Sequence, residues 1–71
     1  MHRYLIIIEA TPMGYSSYSP DLPGCVAAGE SQAAVERAMR EAIELHLEGL
    51  RDSGLPIPVG GTSATYVEVA A

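Results

Sequence analysis

The chain has 71 residues, nine acidic side chains against four arginines, no lysine, one cysteine and a net charge of −5. That length holds one domain, and that charge argues against gripping a nucleic-acid backbone or an anionic membrane surface, both of which reward clustered Lys and Arg. A lone cysteine excludes an internal disulfide, and His2, His46 and Cys25 are not at metal-ligand spacing, so neither metal nor cofactor is expected.

Residues 4–10 (YLIIIEA) are aromatic and β-branched and apolar on both alternating faces, which predicts an inner strand covered on both sides or a strand with one face at a subunit interface. Thr11-Pro12-Met13-Gly14 reads as a turn, with Pro suited to its second position and Gly to positive φ. Residues 14–19 form a second, more polar strand with one wet face. Pro20 and Pro23 then bracket a corner that lies at a strand end or an edge, because proline cannot donate to a ladder. Asp21 is expected to cap this corner through a backbone amide between Leu22 and Gly24. Residues 25–29 (CVAAG) are a short third strand whose small side chains let a helix lie close.

Ser31 is placed to cap a helix running to about Ser53. Val35, Ala38, Met39, Ala42, Ile43, His46 and Leu50 share one face of its wheel, with Leu45 and Leu47 flanking it and charge opposite. This apolar arc is wider than one sheet contact requires. Gly54 closes the helix in the left-handed conformation, which sets Leu55 against Leu50 in a Schellman motif. Pro56 and Pro58 forbid continuation, residues 59–63 (VGGTS) are the most flexible stretch, and residues 64–69 (ATYVEV) alternate as a final strand.

The predicted order is β-β-β-α-β: an α+β domain with a four-stranded mixed sheet of order 3-2-1-4 and one helix on one face. Two hairpins supply the antiparallel strands, and a right-handed crossover lays the fourth beside the central first. A domain this small buries only about 60% of its unfolded surface and draws roughly 3–5 kcal/mol from its core. Without a disulfide or metal, self-association is the remaining staple, so a homodimer or higher homo-oligomer is expected. No segment approaches the ~20 residues of a membrane span, no signal peptide is evident, and one free thiol suits a reducing, cytoplasmic compartment.

Groups for catalysis are few. His46 lies mid-face on the helix and reads as a core or interface histidine, while Cys25 reads as a buried filler with no base to activate it. Glu9 and Glu68 end two strands predicted to be neighbours, and they read as solvent-facing strand ends ahead of a metal-binding pair. Gly60-Gly61-Thr62 lacks the lysine and following helix of a phosphate loop.

Tyr18-Ser19-Pro20-Asp21-Leu22-Pro23-Gly24-Cys25-Val26, then Gly29-Glu30-Ser31, then Glu44-Leu45-His46-Leu47-Glu48-Gly49-Leu50 and Gly54-Leu55-Pro56-Ile57-Pro58 resemble the HicB family of small antitoxins across nearly the whole chain. The resemblance implies a β-β-β-α-β unit similar to a pared-down RNase H fold, oligomeric and without catalysis. It implies an antitoxin that binds and blocks HicA, a small basic toxin that cleaves mRNA, and an acidic chain suits that partner. Tyr18, Asp21, Leu22 and Glu30 are the expected partner contacts. Many family members carry a further carboxy-terminal DNA-binding domain. Residues 1–71 are expected to be a single HicB-like domain without one, so autorepression is not implied. The alternative is an orphan oligomeric HicB-like scaffold or regulatory module with another protein partner.

Overall fold

The computed structural model describes residues 2–71. Three strands, β1 (Ile7–Thr11), β2 (Gly14–Tyr18) and β3 (Val26–Gly29), precede one helix, α1 (Gln32–Asp52). The strands form an antiparallel sheet in the order β1-β2-β3. β1 and β2 are joined by a tight turn that pairs Thr11 with Gly14 and Ile7 with Tyr18. Gly14 has φ +148°, and a Cβ there would stand 2.5 Å from the Gly29 carbonyl oxygen. Only glycine fits both constraints.

The proline-framed corner is closed by its own backbone. Leu22 N donates to Ser19 O at 3.2 Å, and Cys25 N donates to Leu22 O at 3.1 Å. Gly24 supplies the positive φ, +82°. These turns drive Leu22 inward, where it is 0% exposed. The Ser31 hydroxyl accepts from Ala34 N at 3.0 Å and starts the helix. At its other end Gly54 N donates to Arg51 O and Leu55 N to Leu50 O, with Gly54 at φ +68°. This is the Schellman pattern expected from Gly54 and Leu55.

The helix lies across β3 and β2. A Cβ on Gly29 would stand 2.7 Å from Val35 N, so small residues on β3 do permit a close approach. The core is Leu22, Cys25, Val35, Met39 and Leu47, with Tyr4, Ile6, Ile43, Leu50 and Ile57 packed around it.

The four-stranded 3-2-1-4 sheet is overturned. Among the described residues, positions 64–69 form no strand, and Tyr66, Val67 and Val69 stand exposed. The fold is β-β-β-α, without a parallel crossover, and β1 is an edge strand where a central one was expected. Alternation and β-branching show only that a segment tolerates an extended backbone; pairing depends on a non-local edge. The two-sided apolar character of residues 4–10 has another origin. Tyr4 and Ile6 pack on the core beneath the helix. Ile7 lies on the opposite sheet face, in register with Tyr18, and no element among the described residues covers that face.

Candidate partner-binding site

The pairing register defines that uncovered face. Ile7 is opposite Tyr18 and Tyr18 is opposite Val26, so the three form a row across the sheet. The neighbouring register, Ile8, Ser17 and Ala27, points the other way. Ser17 is buried beneath the helix and Ala27 packs on the core. On the open side Tyr18 is 43% exposed and Val26 65% exposed. Glu9, Ser16 and Ala28 form the next row of the open face. It is therefore apolar at the corner end and acidic at its outer edge.

The four residues expected to contact a partner are not brought together. Tyr18 lies on the open face and Asp21 follows it in the corner. Leu22 is a fully buried core side chain and is not available to a partner. Glu30 is exposed at the far end of β3, roughly 13 Å along from Val26 at a strand's rise per residue. Asp21 does not cap its own corner. Its carboxylate accepts from Thr62 Oγ1 at 2.7 Å and from Thr62 N at 3.2 Å. Tyr4 Oη donates to Pro58 O at 2.6 Å. The segment after the helix is thus strapped across the residues that lead into β1. At Gly60 it passes so near Arg3 O that a Cβ would have no room. Residues 59–63, expected to be the most flexible, include the anchor Thr62.

Ile7 and Val26 were not among the expected contacts. Part of their signal was present in the sequence, a first strand apolar on both faces, whereas the pairing of Val26 with Tyr18 is visible only in the register.

On the helix side of the sheet, a groove of about 440 Å³ runs between residues 2–6 and the helix. Ile6, Met39, Ile43 and Leu47 floor it, and Glu36 and Arg40 line it too. The surplus width of the helix's apolar arc is used here. His46 is half-buried and Cys25 is buried, and burial pushes the Cys25 thiol up from its ordinary value. Glu9 is exposed on β1 and Glu68 lies outside the sheet, so they do not end adjacent strands. Among the described residues no group of three or more His, Cys, Asp or Glu is placed to hold a metal ion, and no helix is long and apolar enough to cross a membrane.

Comparison with known proteins gives this surface a context. Residues 4–70 match the family model described as the HicB-like antitoxin of bacterial toxin–antitoxin systems. An uncharacterized 14.9 kDa protein of the rep–hol intergenic region of Haemophilus phage HP1 is 33% identical over 64 residues, covering 90% of this chain and 48% of that protein. A UPF0150 protein of Helicobacter pylori strain J99 is 43% identical over 44 residues, covering 62% of this chain and 61% of that protein. The chain thus spans about half to three-fifths of the length of these curated relatives. Among solved structures, a chain of the HicA3 and HicB3 toxin–antitoxin complex superposes with a TM-score of 0.72 at 35% identity, over 84% of this chain and 70% of that one. The antitoxin HicB3 crystal structure matches with the same score and identity, over 44% of its own chain. With its family pattern matched from residue 4 to residue 70, this chain belongs to the HicB-like antitoxins of bacterial toxin–antitoxin systems.

Proposed function

We propose that the chain acts in the cytoplasm as the antitoxin of a toxin–antitoxin pair, neutralising a basic, HicA-like, mRNA-cleaving toxin by covering its active surface. The observation that carries this reading is the 35% identical, TM-score 0.72 match to a chain of the HicA3 and HicB3 complex. The site's physics is consistent with it. An apolar row, Ile7, Tyr18 and Val26, supplies buried contact area, and acids at Asp21 and Glu30 supply attraction to a cationic partner. Leu22 anchors the corner through its buried side chain and backbone bonds. We propose in addition that the chain self-associates, since a domain this small with one cysteine and an open sheet face needs a further source of stability.

Co-expression with a HicA-like toxin tests the reading. Restored growth and a co-purifying complex are expected, and Val26→Asp should abolish both while leaving the helical circular dichroism unchanged. A folded chain that neither rescues growth nor forms a complex would remove the proposal.

A further inference from the structure

We infer that the Asp21 carboxylate is a guanidinium site that Thr62 keeps occupied, so that an arginine of a basic partner binds there by displacing the strap that follows the helix. This rests on the reading of the chain as a binder of a basic protein, and it adds how that surface is regulated.

Thr62 presents two donors side by side. Its hydroxyl donates to Oδ1 of Asp21 at 2.7 Å, and its backbone N–H donates to Oδ2 at 3.2 Å. One donor on each carboxylate oxygen is also the pattern in which a guanidinium pairs with a carboxylate through two parallel bonds. Thr62 is thus a neutral stand-in for an arginine. The two compete for one position, because the rigid fork of an arginine needs both oxygens on the same side. An arginine also brings a full positive charge, so its bonds to Asp21 are ionised at both ends, whereas those from Thr62 are ionised at one.

The corner holds the carboxylate still. Leu22 is buried, and the bonds from Leu22 N to Ser19 O and from Cys25 N to Leu22 O close the backbone around it. Pro20 and Pro23 fix φ before and after Asp21. The acceptor is therefore preorganised, at the end of the strand that carries Tyr18. The strap is the movable half. Its other attachments, Tyr4 Oη to Pro58 O and the close passage of Gly60 by Arg3 O, lie upstream of Thr62. Beyond Thr62 the one hydrogen bond among the described residues is local, from Thr65 to Tyr66. Displacing Thr62 thus breaks two bonds and leaves the upstream attachments in place.

There is room for the strap to move. An open slot of about 600 Å³ lies between residues 3–6 and 60–64. Arg3 lines that slot, yet both of the carboxylate's hydrogen bonds go to Thr62, so the guanidinium that fits Asp21 comes from outside the chain. The net charge of −5 draws such a group in. Coupling of this kind is reciprocal. A partner that takes Asp21 loosens the strap, and a strap held down weakens the partner.

The test titrates the full chain with an oligoarginine peptide, beside an oligolysine of equal charge, and reads the Thr62 amide by NMR relaxation. In the free chain this amide should be ordered, with an order parameter of about 0.85, and oligoarginine should lower it below about 0.6 while the Leu55 amide at the helix end stays unchanged. Oligolysine should do much less, because an ammonium is a point charge without the fork, and Asp21→Asn should abolish the response. Binding of a HicA-like toxin gives the second readout. Thr62→Val keeps the side chain's shape and the amide but loses the hydroxyl, and it should bind the toxin roughly fivefold tighter; Thr62→Ser, which restores the fork, should bind as the native chain does. A Thr62 amide already disordered in the free chain, or still ordered at the highest oligoarginine concentration, overturns the inference. So does an equal response to oligolysine, or a Thr62→Val chain that binds the toxin no tighter. None of these touches the antitoxin reading, which fails if the native chain and both variants bind no toxin, and the peptide titration decides the displacement in that case too.

Discussion

Ser17 and Cys25 are both buried side chains whose polar character the fold does not use. Ser17 Oγ is buried beneath the helix with no hydrogen-bond partner among the described residues. Such a group carries its desolvation cost without compensation. Ser17→Ala is expected to raise unfolding free energy by about 1 kcal/mol, read as a higher urea midpoint at unchanged slope; a lower midpoint would show that the hydroxyl has a favourable contact. Cys25 differs because it titrates. Burial disfavours its thiolate and pushes the thiol up, so the folded chain holds this proton more tightly than the unfolded chain. The associated stability is complete below the ordinary thiol range and is lost as pH rises through that range toward the raised value. The denaturation midpoint should therefore fall more steeply at alkaline pH for the native chain than for Cys25→Ala. Equal slopes would show that Cys25 contributes nothing to the decline.

Local chemistry governs the elements. The helix begins at Ser31 because its hydroxyl meets the Ala34 amide, and it ends at Gly54 because only glycine takes φ +68° there without strain. Ser31→Ala should cost about 1 kcal/mol, with faster amide exchange confined to the first helical turn. Faster exchange along the whole helix would mean the cap is coupled to the core. These ends were legible in the sequence, since caps depend on side chains a few residues apart. So were the three paired strands and the turn at Gly14. The fate of residues 64–69 was not, because period-two alternation describes a strand's faces and says nothing about which edge it meets. The two-sided apolar pattern of residues 4–10 left a covered inner strand and an interface strand both open for a related reason, and only the central position of the first strand is overturned. A covered face and an uncovered apolar face give the same letters, and only the register Ile7–Tyr18–Val26 tells them apart. At the candidate site, the exposed Tyr18 was legible. The Asp21–Thr62 bond, 41 residues apart in sequence, had no local signature.

The whole molecule is a field as well as a shape. Its charge of −5 is built from nine acids and four arginines, and an unbalanced surface of this kind acts on approach more than on the final bound state. The proposed toxin is basic, so the encounter should be steered, and steering is screened beyond about 10 Å at 0.1 M salt. Asp21 is a poor probe of this effect, because it also holds Thr62, and reversing it would release the strap as well as change the charge. Glu30 is exposed at the far end of β3, and its side chain forms no hydrogen bond among those the structure shows. Glu30→Lys moves the net charge from −5 to −3 without removing a known contact. In stopped-flow mixing with the toxin, the variant's association rate should fall severalfold at low salt and approach the native rate as salt rises, with the dissociation rate little changed. Equal association rates for both chains at low salt would mean that the apolar row captures the toxin without help from the field. A change confined to dissociation would place Glu30 inside the contact itself.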